Sequence, residues 1–467
     1  MDYKQQYDEL LEKKRIVFES VGFKVSKEDV NPVLHPFQSD LTRYQVIKGR
    51  SACFADTGLG KSAINYEVTR LQQAQIKKPA LIFAPLSVAW QMIDDIKELL
   101  DGEIQYVESN DDRLAPINIT NYERLHKFDM RKFGVVSLDE SSILKALNSK
   151  TRKALTEKCQ FVPYRNCFSA TPSPNDITEI GNHSEFLGIM TAPEMKATFF
   201  MNRENKATGE KWQLKGHSRE KFYRWLASWG MAVRKPSDLG YDDNGYVLPK
   251  LNVIPHYIDT GYTPDGMLFS YGLNGLQQRN EVRRETITNR CNYAAEIVNQ
   301  STEQFIVWCY LNDEANLMKK LIPDSINVEG SDTTLFKANT FRDFKKGKFR
   351  VLITKPKIGA FGLNFQNSHN AVCVGMDDSM ETLYQMIRRQ WRYLQLHNVN
   401  FHIVLANAQR AILENVQRKE RAMKYMQQKL VDNSRQYALE ELELLDRKPE
   451  FEYNPNVTFE LPLFMRS

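Results

Sequence analysis

The sequence predicts an α/β fold in which parallel sheets are covered by helices. Three observations lead there. Short apolar runs alternate with segments of helical period, as successive strand–helix units require. The runs are apolar enough to read as buried strands rather than half-exposed ones. Each ends in a polar or glycine-rich turn, the carboxyl edge at which open α/β sheets bind ligands.

The first such unit is Phe54-Ala55-Asp56-Thr57-Gly58-Leu59-Gly60-Lys61-Ser62. Ala52 to Ala55 are a strand end, and Ala63, Ile64, Tyr66, Val68 and Leu71 recur at helical spacing after the turn. Gly58 and Gly60 let the backbone curl so that its N–H groups converge on an anion, Lys61 reaches the β/γ-phosphates, and Ser62 can hold Mg2+. The pattern G-x-x-x-x-G-K-[ST] begins here with Ala55 instead of Gly, so taken alone the stretch also reads as an ordinary helix start. The rest of the chain decides between the two.

Ahead of the loop, residues 1–30 read as a charged amphipathic packing arm (Tyr7, Leu10, Leu11, Ile16, Phe18). His35-Pro36-Phe37-Gln38 follows. A Gln amide offers the acceptor and donors that an adenine edge needs, and Phe37 can stack on the base. A surface Gln beside a core Phe is the plain alternative. After the loop, strands end at Pro85-Leu86-Ser87, at Thr120-Asn121-Tyr122, at Asp139-Glu140-Ser141-Ser142 and at Ser169-Ala170-Thr171-Pro172. Asp139, at a strand end downstream of a phosphate loop, is placed to hold Mg2+, and Glu140 to orient or deprotonate a water. Two acidic residues there can also be a plain helix cap. Their order relative to Lys61 favours the metal site.

In that order, Ala55–Ser62, Asp139–Ser142 and Ser169–Pro172 resemble motifs I, II and III of superfamily 2 helicases and translocases. The form is similar to the Swi/Snf-type branch and its compact bacteriophage relatives. The resemblance implies two tandem RecA-like lobes, parallel sheets flanked by helices with helical insertions, using ATP and Mg2+. A second set of strands meets that expectation: Glu303–Cys309, a strand ending at Val328, Phe349–Thr354 and Ala371–Gly375. Lys357-Ile358-Gly359-Ala360-Phe361-Gly362-Leu363-Asn364 resembles motif V, and Gln385-Met386-Ile387-Arg388-Arg389-Gln390-Trp391-Arg392-Tyr393-Leu394-Gln395 resembles motif VI.

By the resemblance, Lys61, Asp139, Glu140, Gln385, Arg389 and Arg392 form the catalytic set, with the two arginines as fingers. Phe37, Gln38, Thr57, Gly58, Gly60, Lys61, Ser62, Gly362 and Asn364 would bind the nucleotide, and Ser62 and Asp139 the Mg2+. Read as one helix, Arg389 and Arg392 lie three residues apart on one face, so both would point at the γ-phosphate. Two positions depart from the family: Ser142 stands where His or Asp is common in motif II, and Leu394 where Gly precedes the last Gln of motif VI.

The expected division is an N-terminal arm over 1–34, a first lobe over 35–250 with an insertion at about 186–240, a second lobe over 251–410 with a protrusion at about 262–300, and a C-terminal helical brace or partner-binding tail over 411–467. The hinge is placed near Leu248-Pro249-Lys250-Leu251. Phe222, Trp225 and Trp229 fall at helical spacing and read as core, while Arg279, Arg283 and Arg290 read as nucleic-acid contacts.

Composition agrees with a large globular protein: 467 residues, 42% hydrophobic and 26% charged, with net charge +5. Six scattered cysteines, without a C-x-x-C pair, argue against a disulfide framework or a zinc site. No stretch approaches the ~18 apolar residues of a membrane span, and the N-terminus has no apolar signal core. The expected protein is soluble and cytoplasmic, in a bacterial host if of phage origin, and monomeric, with replication or recombination proteins as further partners.

Its expected activity is ATP-dependent motion on DNA, double-stranded or branched, with low sequence specificity. Contacts are expected at the turns that hold Pro85 and Ser87, Thr120, Asn121 and Tyr122, at Thr171, at Trp308 and at Lys357. An RNA helicase, or a motor subunit of a larger restriction or repair complex, uses the same motifs. Unwinding, sliding on intact duplex and branch migration are all open.

Overall fold

The computed structural model describes residues 18–145, 150–173, 177–202, 212–260, 276–359, 364–377 and 379–446. In the first lobe the strands are β1 (Arg50–Ala55), β2 (Ala80–Ala84), β3 (Gln105–Tyr106), β4 (Ile117–Asn121), β5 (Val135–Leu138) and β6 (Tyr164–Phe168). The short antiparallel pair β7 (Phe200–Asn202) and β8 (Trp212–Leu214) follows, then β9 (Gly230–Val233). The main sheet has the order β3-β4-β2-β5-β6-β1-β9, and every pairing in it is parallel. β1 thus sits inside the sheet, with the glycine-rich loop Asp56–Gly60 at its carboxyl end.

The second lobe is built from β10 (Leu251–Ile258), β11 (Phe305–Cys309), β12 (Ser325–Val328), β13 (Val351–Thr354), β14 (Asn370–Val374) and β15 (Val399–Ala406). Their order is β10-β15-β14-β11-β13-β12, again all parallel. Two parallel sheets, each with apolar clusters on both faces, form the two RecA-like lobes expected from the sequence. All six cysteines are buried free thiols. Among the described residues no helix is long and apolar enough to cross a membrane.

The segment at about 186–240 is woven into the first lobe. Its β9 extends the main sheet beside β1, in register from Ala52 against Gly230 to Ala55 against Val233. Phe199, Phe222, Trp225 and Trp229 pack on one another beneath it and are fully buried. Rings of this size each remove about 150–250 Å² from water, which fixes the segment to the lobe.

Of the protrusion expected at about 262–300, residues 261–275 lie outside the described residues. Helix Ile287–Asn299 is a core helix of the second lobe, burying Cys291, Ala294, Ala295 and Val298 against β11, β13 and β14. Arg290 on its inner face is fully buried and pairs with Glu314 at 2.9 Å. Glu314 also accepts the N–H groups of Tyr310 and Leu311, capping helix Asn312–Leu321. The expectation that Arg290 contacts nucleic acid is therefore corrected: its charge is spent inside the lobe. Arg283 is likewise engaged, over the ring of Tyr310. The side chain of Arg279 lies outside the described residues.

The chain after β15 forms one helix of 37 residues, Arg410–Asp446, about 55 Å long at 1.5 Å per residue. Its first half buries Ile412, Leu413, Val416 and Met423 in the second lobe, and its second half buries Leu430, Val431, Tyr437, Ala438 and Leu442 in the first. The described part of the tail thus packs against both lobes, as a brace would. Lys48–Glu441 at 2.7 Å and Gln427 Nε2 to the Ala170 carbonyl at 2.8 Å tie it to the first lobe.

Candidate nucleotide site between the lobes

The loop after β1 has the shape the sequence requires. Gly58 and Gly60 take φ values of +93° and +81°, a region open to glycine and costly for other residues. Gly60 is the N-cap of helix Lys61–Ile76, so the first amides of that helix face the loop. The Lys61 ammonium folds back to the carbonyls of Ala55 at 2.9 Å and Asp56 at 3.2 Å. It lies in the mouth of the loop, where a phosphate oxygen can replace those carbonyls. Thr57 and Ser62 are half-buried beside it.

Gln38 is bound to this loop. Its Nε2 donates to the Leu59 carbonyl at 3.0 Å and its Oε1 accepts the His35 N–H at 2.9 Å. A side chain on Gly60 would collide with that amide, at 2.2 Å. Phe37 is only 2% exposed and meets Tyr246 edge-on at 5.4 Å. In this arrangement both ends of the Gln38 amide are engaged, and stacking of a base on Phe37 requires Tyr246 to move.

Asp139 and Glu140 follow β5 at the same sheet edge. Asp139 is buried, and its carboxyl is pushed up to about 7 by that burial and then by the charge of Glu140, with Lys61 and Asn65 opposing. A divalent cation held by Asp139 and Ser62 would supply the charge this carboxylate lacks, so the donor set fits Mg2+. Four described non-glycine residues have positive φ; Lys77 and Asp101 cap helices, and the other two are Glu140 (+52°) and Leu394 (+68°), one in each half of the site. Such a backbone costs about 1–3 kcal/mol and is held by its surroundings.

The second lobe meets the loop directly. Asp56 accepts from Tyr384 Oη at 2.7 Å and from Arg388 Nη2 at 2.6 Å, and its Oδ1 also takes the Thr57 N–H at 2.6 Å. Nearby, Glu381 accepts from Ser142 Oγ at 3.4 Å and pairs with Lys145. Ser142 is thus an inter-lobe contact. Sequence reasoning passed over Arg388 and Tyr384, although both stand within two residues of named motif VI positions.

Arg389 and Arg392 do not lie on one helix face as expected. The helix Met380–Ile387 ends before them, because the Arg389 carbonyl accepts the Phe365 N–H at 2.8 Å instead of serving a further helical turn. Gln390 and Gln395 pin the following turn through buried bonds to the Asn370 and Ser368 carbonyls, at 2.9 and 3.3 Å. The two guanidiniums consequently have different surroundings. Arg389 bonds Gln385 Oε1 at 2.8 Å; burial and then Arg392 push it down to about 9, against the charge of Glu140. Arg392 is lowered by burial and faces the charge of Asp95 in the first lobe.

Several expected nucleic-acid contacts are inside the protein. Trp308, on β11, is fully buried in the core of the second lobe and is withdrawn as a contact. Thr120 and Thr171 are also buried, and Tyr122 stacks on Phe83 while its hydroxyl donates to the Asp139 carbonyl at 2.6 Å. A strand end in a sheet covered on both faces is still core, so its position at the edge did not make these side chains accessible. Asn121 is buried and bonds Tyr106 and Glu123. Pro85 is half-buried and Lys357 exposed. Asn364 is half-buried and accepts the Gln366 N–H, while Gly362 and the Ser87 side chain lie outside the described residues.

Residues 289–394 match the family described as Helicase conserved C-terminal domain. That span contains β11 to β14 and the turn that carries Arg388, Arg389 and Arg392. No curated protein matches the chain. Among solved structures, the Sulfolobus solfataricus SWI2/SNF2 ATPase core in complex with dsDNA covers 90% of this chain and 99% of its own, at 14% identity and a TM-score of 0.42. At that TM-score the likeness carries no weight beside the strand orders themselves.

Proposed function

We propose that this chain is an ATP-driven DNA motor of the superfamily 2, Swi/Snf type, which hydrolyses ATP in the cleft between its lobes. One observation carries the reading: the phosphate loop of the first lobe is held by Tyr384 and Arg388 from a segment that matches a helicase C-terminal domain. Lys61 and the loop amides bind the phosphates. Ser62 and Asp139 would hold Mg2+, which would supply positive charge against the phosphates. Glu140 orients and deprotonates the attacking water. Arg389, released from Gln385, offsets the charge of the γ-phosphoryl in the transition state.

Cycles of hydrolysis open and close the cleft, and the lobes step along DNA held at half-buried Pro85 and exposed Lys357. Contacts of this kind go mostly to phosphates, so sequence preference is weak. Duplex or branched DNA is the substrate in this reading.

The test is ATP turnover with duplex DNA, single-stranded DNA or RNA added. Duplex DNA should stimulate most, and Lys61→Ala should abolish turnover while DNA affinity stays within a few-fold. Stimulation by RNA alone, or loss of DNA binding together with turnover, contradicts the assignment. Displacement of a triplex strand, compared with unwinding of a forked duplex, then separates sliding from strand separation.

A further inference from the structure

We infer that Tyr246 and Tyr393, one from the segment that leaves the first lobe and one from the second, form a clamp for the base of the bound nucleotide. The inference rests on the ATP reading above. The two rings stack on each other with centroids 4.7 Å apart and planes 26° from parallel. Both side chains are half-buried, so the stack keeps an open edge.

Three contacts fix where the stack stands. A Cβ on Gly58 would lie 3.1 Å from the Tyr393 nitrogen and 3.2 Å from its Cβ, so Tyr393 rests against the phosphate loop itself. Tyr246 meets Phe37 edge-on at 5.4 Å and His35 at 5.9 Å. Gln38, next in the chain, is bonded to Leu59 within the loop. The stacked pair therefore forms the rim of the phosphate loop on the side that Phe37 and Gln38 line.

A nucleotide anchored by its phosphates must lay its sugar and base across a rim of the loop, and on this side the rim is aromatic. Every base has a π-face, and stacking one on an aromatic ring changes affinity about ten- to a hundredfold. A base between two rings needs them about 7 Å apart, two contact distances of ~3.5 Å. The rings must therefore part by about 2–3 Å from their present stack. Because each belongs to a different lobe, base binding and lobe spacing become one event. Without a base the rings close on each other.

The experiment is calorimetric binding of ADP and of inorganic tripolyphosphate to the full chain and to Ala, Leu and Phe variants at both positions. Tyr246→Ala, Tyr393→Ala and the bulk-preserving Tyr246→Leu and Tyr393→Leu should weaken ADP about tenfold or more. The Phe variants should retain ADP, and tripolyphosphate affinity should be unchanged throughout. Unchanged ADP affinity in the Ala and Leu variants, or an equal loss of both ligands, overturns the clamp. Wild-type protein that binds neither ligand overturns the ATP reading itself, which keeps the two failures apart.

Discussion

His183 shows how far the surroundings of one side chain reach. It is fully buried, its Nε2 lies 3.2 Å from Ser141 Oγ beside the acidic pair, and its ring meets Phe54 of β1 edge-on at 5.3 Å. Burial pushes its pKa down from 6.5 to about 4. Above pH 6.5 both folded and unfolded chains carry it neutral. Below that, the unfolded chain takes the proton first, so stability falls as pH drops from about 6.5 to about 4 and flattens beneath. The full loss is of order 3 kcal/mol. Urea midpoints followed across that window should show the fall, and His183→Asn should reduce it; parallel curves would contradict the assignment.

At this scale the sequence carried the loop residues well and the side-chain surroundings poorly. Lys61, Asp139 and Glu140 were legible because backbone conformation and chemistry fix their spacing locally. Trp308, Thr120 and Arg290 were misplaced because burial depends on which helices cover a strand end. The Asp56–Arg388 pair spans 332 positions in the chain, and no local pattern announces a bond of that kind.

Among the elements, the strands were the most legible, since parallel strands buried on both faces read as apolar runs. β3, β7, β8, β9, β10 and β15 escaped notice. The helix Lys61–Ile76 was recognised by Ile64, Val68 and Leu71, yet its inner face is partly polar. Asn65 accepts from Ser137 at 2.6 Å and Gln72 from Asn166 at 2.7 Å, joining the helix to β5 and β6. Motif VI was read as one helix because nothing in its composition shows that Phe365 claims the Arg389 carbonyl.

The 37-residue helix Arg410–Asp446 was legible as a helix, but brace and partner-binding end stayed open, because nothing local shows that its two apolar patches face different lobes. Between the two patches the helix is exposed at Lys424 and Tyr425. Lys424 pairs with Glu420 across one turn and lies between the two halves. Lys424→Pro should cost about 3 kcal/mol or more by removing a helical bond and forcing a kink. The expected outcome is a split of one unfolding transition into two, the first-lobe tryptophans Trp225 and Trp229 separating from Trp308. A single transition at the wild-type midpoint would show that the brace does not couple the lobes.

For the whole molecule, the two-lobe plan followed from motif order, and what the sequence could not supply was how closely the lobes meet. Tyr384, Arg388 and Tyr393 all touch the loop between Asp56 and Gly58, so the second lobe is seated on the phosphate site. Arg389 stands next to them, buried, bonded to Gln385 and under the charge of Glu140. The central claim is that ATP hydrolysis needs both lobes at once, and Arg389→Ala tests it most directly. In DNA-stimulated, single-turnover hydrolysis the variant should bind ATP within a few-fold of wild type and turn it over about 10³-fold more slowly, the scale of an arginine that stabilises phosphoryl transfer. Turnover at the wild-type rate would contradict the claim.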